Sequence, residues 1–122
     1  MSLLTPLEAA AWLFGFAAVG GIAMAGMRFS GKAYPPAWLA MGHGLLAAAG
    51  LTLLLYAACT TGVPTLAKAS IALFIAAAAG GAYLNLAFHQ KSLALPKGIV
   101  IGHAVMAVAG YAALLLALRP AP

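Results

Sequence analysis

The stretch AWLAMGHGLLAAAGLTLLLYAA, residues 37–58, holds no charged residue and follows Pro35-Pro36. Crossing the hydrocarbon core of a bilayer takes about 20 apolar residues as a helix, so this stretch is long enough to span. It carries His43 between Gly42 and Gly44. Sixty residues on, a second apolar stretch from about Gly98 to Leu118 follows Pro96 and carries His103 next to Gly102. Two more stretches of similar length lie at about Leu7–Met27 and Leu66–Phe88. Lipid offers the backbone no hydrogen-bond partners, which leaves helices or closed barrels as spanning structures. Four segments this long point to helices.

The expected fold is all-α: an integral membrane four-helix bundle with helices at 7–27, 37–58, 66–88 and 98–118. The chain forms one domain, 1–122. Short turns imply antiparallel neighbours in up-down-up-down order. Composition agrees, since 66% of residues are hydrophobic and 6% charged, too little polar surface for a soluble domain. The net charge of +5 does not point to nucleic acid, because the basic residues flank the apolar segments. Arg28, Lys32, Lys91 and Lys97 fall on one side; Lys68, Arg119 and the acid Glu8 fall on the other. The positive-inside rule makes the first side cytoplasmic and sends both termini outward, to the periplasm if the membrane is a bacterial inner membrane. Met1–Glu8 has no basic region ahead of the first segment, so that segment does not read as a cleaved leader. Cys59 has no partner for a disulfide and reads as a small apolar helix residue. Trp12, Tyr34 and Trp38 read as interfacial aromatics.

An internal repeat sets the symmetry. At an offset of sixty, Leu13-Phe14 meets Leu73-Phe74, Gly20-Gly21 meets Gly80-Gly81, and Pro36 meets Pro96. Gly42-His43 meets Gly102-His103, Gly50 meets Gly110, and Leu54-Leu55 meets Leu114-Leu115. Roughly a third of aligned positions are identical without a gap, the mark of a repeat architecture. The halves, about 5–59 and 65–119, become two helical hairpins of equal orientation, related by a two-fold axis along the membrane normal.

His43 and His103 are then symmetry mates, each roughly 10 Å below the basic side at 1.5 Å per residue. A titratable ring at that depth is costly unless paired and marks a functional site. Helices on the diagonal of a square bundle lie about 14 Å apart, close to the span two inward imidazoles need to hold an iron between them. Gly20, Gly21, Gly80 and Gly81 fall level with the histidines on the other two helices, where the absence of a side chain admits a bulky group. Ala47, Gly50, Ala107 and Gly110 continue the histidine face and leave space for the far edge of a macrocycle. Arg28, Lys32, Lys91 and Lys97 are expected partners for propionates. A structural histidine pair, a metal-ion site and a proton site remain alternatives. Zinc asks for more ligands than two histidines supply, and a proton carrier asks for a mid-membrane acid that the chain lacks. His89 reads as an interfacial histidine beside Lys91; a propionate, a quinone or an oligomer contact is the alternative role. Asn85, one turn deeper, is placed to share a polar pocket with it.

These residues, above all Gly42-His43, Gly102-His103 and the two Gly-Gly pairs, resemble those of a membrane b-type cytochrome, over most of the chain and at the level of the class. The cytochrome b561 type is similar in architecture but uses four histidines for two haems, whereas this chain has none in its outer half. The resemblance implies one haem b per chain, with His43 and His103 as axial ligands, and one-electron transfer as the activity. Quinone, a redox partner protein, a larger complex or further copies of the chain are the partners it implies, besides the lipid bilayer. Two other classes remain open: a small channel or transporter with the histidines on its axis, and a cofactor-free structural or assembly subunit.

Overall fold

The computed structural model describes residues 3–120 and Pro122; Met1, Ser2 and Ala121, at the two ends of the expected domain, lie outside the described residues. The described residues form four long helices and no strand: α1 (Pro6–Phe29), α2 (Ala37–Thr60), α3 (Thr65–Ala87) and α4 (Lys97–Ala117). All four are long and apolar enough to cross a membrane. A single 3₁₀ turn, His89–Lys91, sits between α3 and α4.

The helix ends follow local chemistry. Thr5 caps α1 in a reciprocal box: the Glu8 N–H donates to Thr5 Oγ1 at 3.3 Å, and the Thr5 N–H donates to Glu8 Oε2 at 2.8 Å. Pro6 occupies the first turn, where its missing N–H costs nothing. The other three helices start directly after Pro36, Pro64 and Pro96, whose rings fix an extended entry. α2 runs two residues past the expected Ala58, because the chain first leaves helical geometry at Gly62, with φ +74°. α1 likewise continues to Phe29, ahead of Gly31 at φ +114°. α3 stops one residue early, where Phe88 turns the chain into the 3₁₀ segment, and Ser92 closes that segment in the left-handed region at φ +55°.

α1 packs mainly on α2, and α3 mainly on α4; thinner contacts join α2 to α3 and α1 to α4. The main core lies in the half of the molecule away from the basic loops. There the Phe14 and Phe74 rings stack face to face, with centroids 3.7 Å apart and planes within 1°. Ala10, Ala11, Leu54 and Leu114 close around them. Each ring lies on a glycine of the paired helix. A Cβ on Gly50 would stand 2.9 Å from Phe14, and one on Gly110 would stand 3.3 Å from Phe74 and Leu73. The room left by Gly50 and Gly110, expected to serve a macrocycle edge, is therefore taken by the two phenylalanines. Two polar side chains in this half are satisfied by backbone carbonyls: Ser70 donates to Gly110 at 2.8 Å, and Tyr111 donates to Ala11 at 3.1 Å.

At the loop end, main-chain groups tie the two helical pairs together. The Leu95 N–H donates to the Ala33 carbonyl at 3.0 Å, and Arg28 Nε donates to the Leu95 carbonyl at 2.7 Å. Below them a second cluster forms from Leu84, Leu95 and Val100, with Ala25 packed against it.

The glycine–phenylalanine fit makes a graded prediction. Gly50→Ala should lower unfolding stability by about 1–3 kcal/mol, the usual cost of overpacking. Gly110→Ala, with its looser contact, should cost less. Thermal unfolding of detergent-solubilised variants reads both, and equal or absent shifts would contradict the contact.

Candidate functional site: an anchored histidine pair

His43 lies two turns into α2, and His103 lies two turns into α4. Their ring centroids are 6.0 Å apart, with the planes inclined at 73°. The two histidines thus meet in space although sixty residues separate them. Each ring is anchored in the same way. His43 Nδ1 lies 2.7 Å from the carbonyl of Ala17 on α1, and His103 Nδ1 lies 2.7 Å from the carbonyl of Ala77 on α3. A carbonyl oxygen only accepts, so Nδ1 is the protonated nitrogen in both rings. A neutral imidazole carries one N–H, and Nε2 is left with its lone pair free on each side.

The glycine pairs explain how the rings reach those carbonyls. A Cβ on Gly21 would stand 3.1 Å from His43 Cε1, and a Cβ on Gly81 would stand 3.1 Å from His103 Cε1. A Cβ on Gly20 would stand 3.7 Å from His43 Cβ, and one on Gly80 would stand 3.7 Å from His103 Cβ. Each Gly-Gly pair therefore seats the imidazole of its own neighbouring helix, a role in addition to any space it leaves between the rings. With a side chain at Gly21 or Gly81, α1 or α3 would have to stand off and the hydrogen bond would lengthen.

Past Ala17 and Ala77, few residues at this level are fully buried. On α1 no residue beyond Ala17 is buried, and on α2 none before Gly50. The same holds for 78–83 on α3 and 101–109 on α4. His43, His103 and all four glycines are half-buried. Ala47 is partly buried against the Phe14–Phe74 core, and Ala107 is half-buried.

The four cations gather at the loop end but differ in engagement. Arg28 is half-buried and spends its Nε on the Leu95 carbonyl. Lys97 Nζ stands 5.6 Å from the centre of the Phe29 ring. Lys32 and Lys91 are exposed. His89 stands apart from that pair. Its Nε2 donates to the Pro35 carbonyl at 2.8 Å, and the Tyr34 ring meets it edge-on at 5.7 Å. Asn85 accepts from Gln90 at 2.9 Å, so its hydrogen bond runs to Gln90 instead of His89. Trp12 and Trp38 are exposed, as is Cys59. Among the described residues, no three His, Cys, Asp or Glu side chains converge as a metal site.

Two contributors to the site carried no sequence signal as ligands: the carbonyls of Ala17 and Ala77. Any residue offers a carbonyl, and only the seating glycines hinted that a ring approaches the backbone there. The Phe14–Phe74 stack was visible only as a matched pair of positions.

The anchored tautomer is directly testable. In ¹⁵N spectra of histidine-labelled protein, His43 and His103 should both show the Nδ1–H form. Gly21→Val should abolish that signature at His43 and leave it at His103; an unaffected His43 would refute the seating role. Compared with protein-family models, curated proteins and solved structures, the chain gave no match in any of the three.

Proposed function

We propose that the chain is a membrane b-type cytochrome holding one haem b between His43 and His103. In this reading the four helices form an up-down-up-down bundle of two tandem hairpins, with the loop end cytoplasmic and both termini on the outer, periplasmic side.

The observation that carries it is the pair of Nδ1–carbonyl hydrogen bonds together with the 6.0 Å ring separation. A histidine that ligates a metal usually gives its other N–H to a carbonyl or carboxylate, which fixes the tautomer and makes the ligating nitrogen more basic. Both rings here are prepared in that way. Two imidazole–metal bonds of about 2 Å, plus about 1 Å from each ligating nitrogen to its ring centre, put the centres about 6 Å apart. The donor set also fits: two neutral imidazoles are a haem ligand set, whereas zinc asks for four ligands.

When bound, the haem supplies a reversible one-electron change at its iron. The residues of the chain do the rest. His43 and His103 would hold the group through their free Nε2 atoms. The Ala17 and Ala77 carbonyls hold the rings and tune their basicity. The buried Phe14–Phe74 core keeps water from one side, and burial is itself a lever on potential. Arg28, Lys32, Lys91 and Lys97 set a positive field at the end where propionates are accommodated. Quinone or a redox protein is the partner class that suits such a carrier, alone or within a larger complex.

A second reading draws on the same hydrogen bonds. A histidine donating to a neighbouring helix is also a means of holding helices together, as in a cofactor-free subunit. Absorption spectroscopy separates the two. Protein expressed with haem supplied should show a Soret band that shifts on reduction and a sharp α-band. His43→Ala and His103→Ala should each lose haem by about tenfold or more, in keeping with the loss of a ligand and its anchoring bond. Colourless wild-type protein would leave the structural reading standing.

A further inference from the structure

The two halves of the bundle differ in packing along its axis. At the histidine level Ala17 and Ala77 are buried, while His43, His103 and the four glycines beside them are half-buried. One turn away, three residues and about 4.5 Å along α1 from Ala17, the Phe14 ring closes the centre against Phe74. Beyond it Ala10, Leu54, Ala57, Ala67, Ser70 and Leu114 are all 0% exposed. We propose that the stacked Phe14–Phe74 pair is an axial seal, which closes the histidine site from the terminal end of the bundle.

Three features support a seal in preference to ordinary core packing. First, Gly50 and Gly110 give up their side chains where the rings lie, so both helices are shaped to bring two flat groups together at the centre. Second, the polar groups beyond the stack offer no path. The Ser70 and Tyr111 hydroxyls are committed to the Gly110 and Ala11 carbonyls, and no buried side-chain nitrogen or oxygen among the described residues lacks a partner. Third, the one acid, Glu8, sits at the terminal rim in the Thr5 cap, so no carboxylate bridges the distance. A dry constriction of this kind blocks water and ions by excluding the hydrogen-bonded chain they need.

The proposal stands independently of the haem reading, because its test reads proton permeability. Purified protein is reconstituted into vesicles enclosing a pH-sensitive dye, and proton entry is followed after an external acid jump. Wild-type vesicles should be as tight as protein-free ones. Phe14→Ala/Phe74→Ala should raise the rate by about tenfold or more, by removing the dry layer. Phe14→Leu/Phe74→Leu, which keeps the centre filled, should remain tight. Should the double alanine variant fail to fold, the single variants Phe14→Ala and Phe74→Ala serve, each with an intermediate rate. A leaky wild type, or a folded double alanine variant that stays tight, overturns the seal. Leu and Ala variants that leak equally would also overturn it, because a centre kept filled and dry would then not be what blocks the path.

Discussion

A polar ring placed in a hydrocarbon layer must find a hydrogen-bond partner or forfeit several kcal/mol. That constraint organises the centre of this molecule. Both imidazoles satisfy it with a backbone carbonyl on the adjacent helix, at the same 2.7 Å distance. A carbonyl already engaged in a helix has a second lone pair to offer, so the helix keeps its own hydrogen bonds while anchoring the ring. The approach needs a bare backbone nearby, and Gly21 and Gly81 supply it. Helix spacing, ring orientation and tautomer are thus settled by one interaction made twice.

The consequence for chemistry is preorganisation. Each ring is left with a single unspent nitrogen, and the two rings lie within reach of one small bridging centre. A flexible histidine in the same place would have to lose rotamer freedom on binding. Here the fold has already ordered it. The interior hydroxyls of Ser70 and Tyr111 are consumed by backbone carbonyls, as is Nδ1 of each histidine.

Much of this was legible from the sequence, for physical reasons. Long apolar runs admit one solution in lipid, so α1 to α4 fell within two residues of expectation. His43 and His103 were recognisable as a pair because two histidines, two Gly-Gly steps and two prolines share one offset. What stayed hidden were interactions made by groups every residue possesses. The Ala17, Ala77 and Ala33 carbonyls have no side-chain signature. The purpose of Gly50 and Gly110 was equally ambiguous, since a gap in the sequence does not say which neighbour fills it. The loop-end ties depended on a 3₁₀ turn and a left-handed serine, both short-range details below the reach of hydropathy.

The contact between Gly15 and Tyr111 breaks the near-equality of the two halves. A Cβ at Gly15 would stand 2.9 Å from the Tyr111 hydroxyl, which donates to Ala11. Sixty residues away the same positions hold Ile75 and Leu51. α4 therefore reaches α1 through a hydroxyl that α2, with Leu51 in the matching position, does not offer α3, so the tie between the two helical pairs is lopsided at this level.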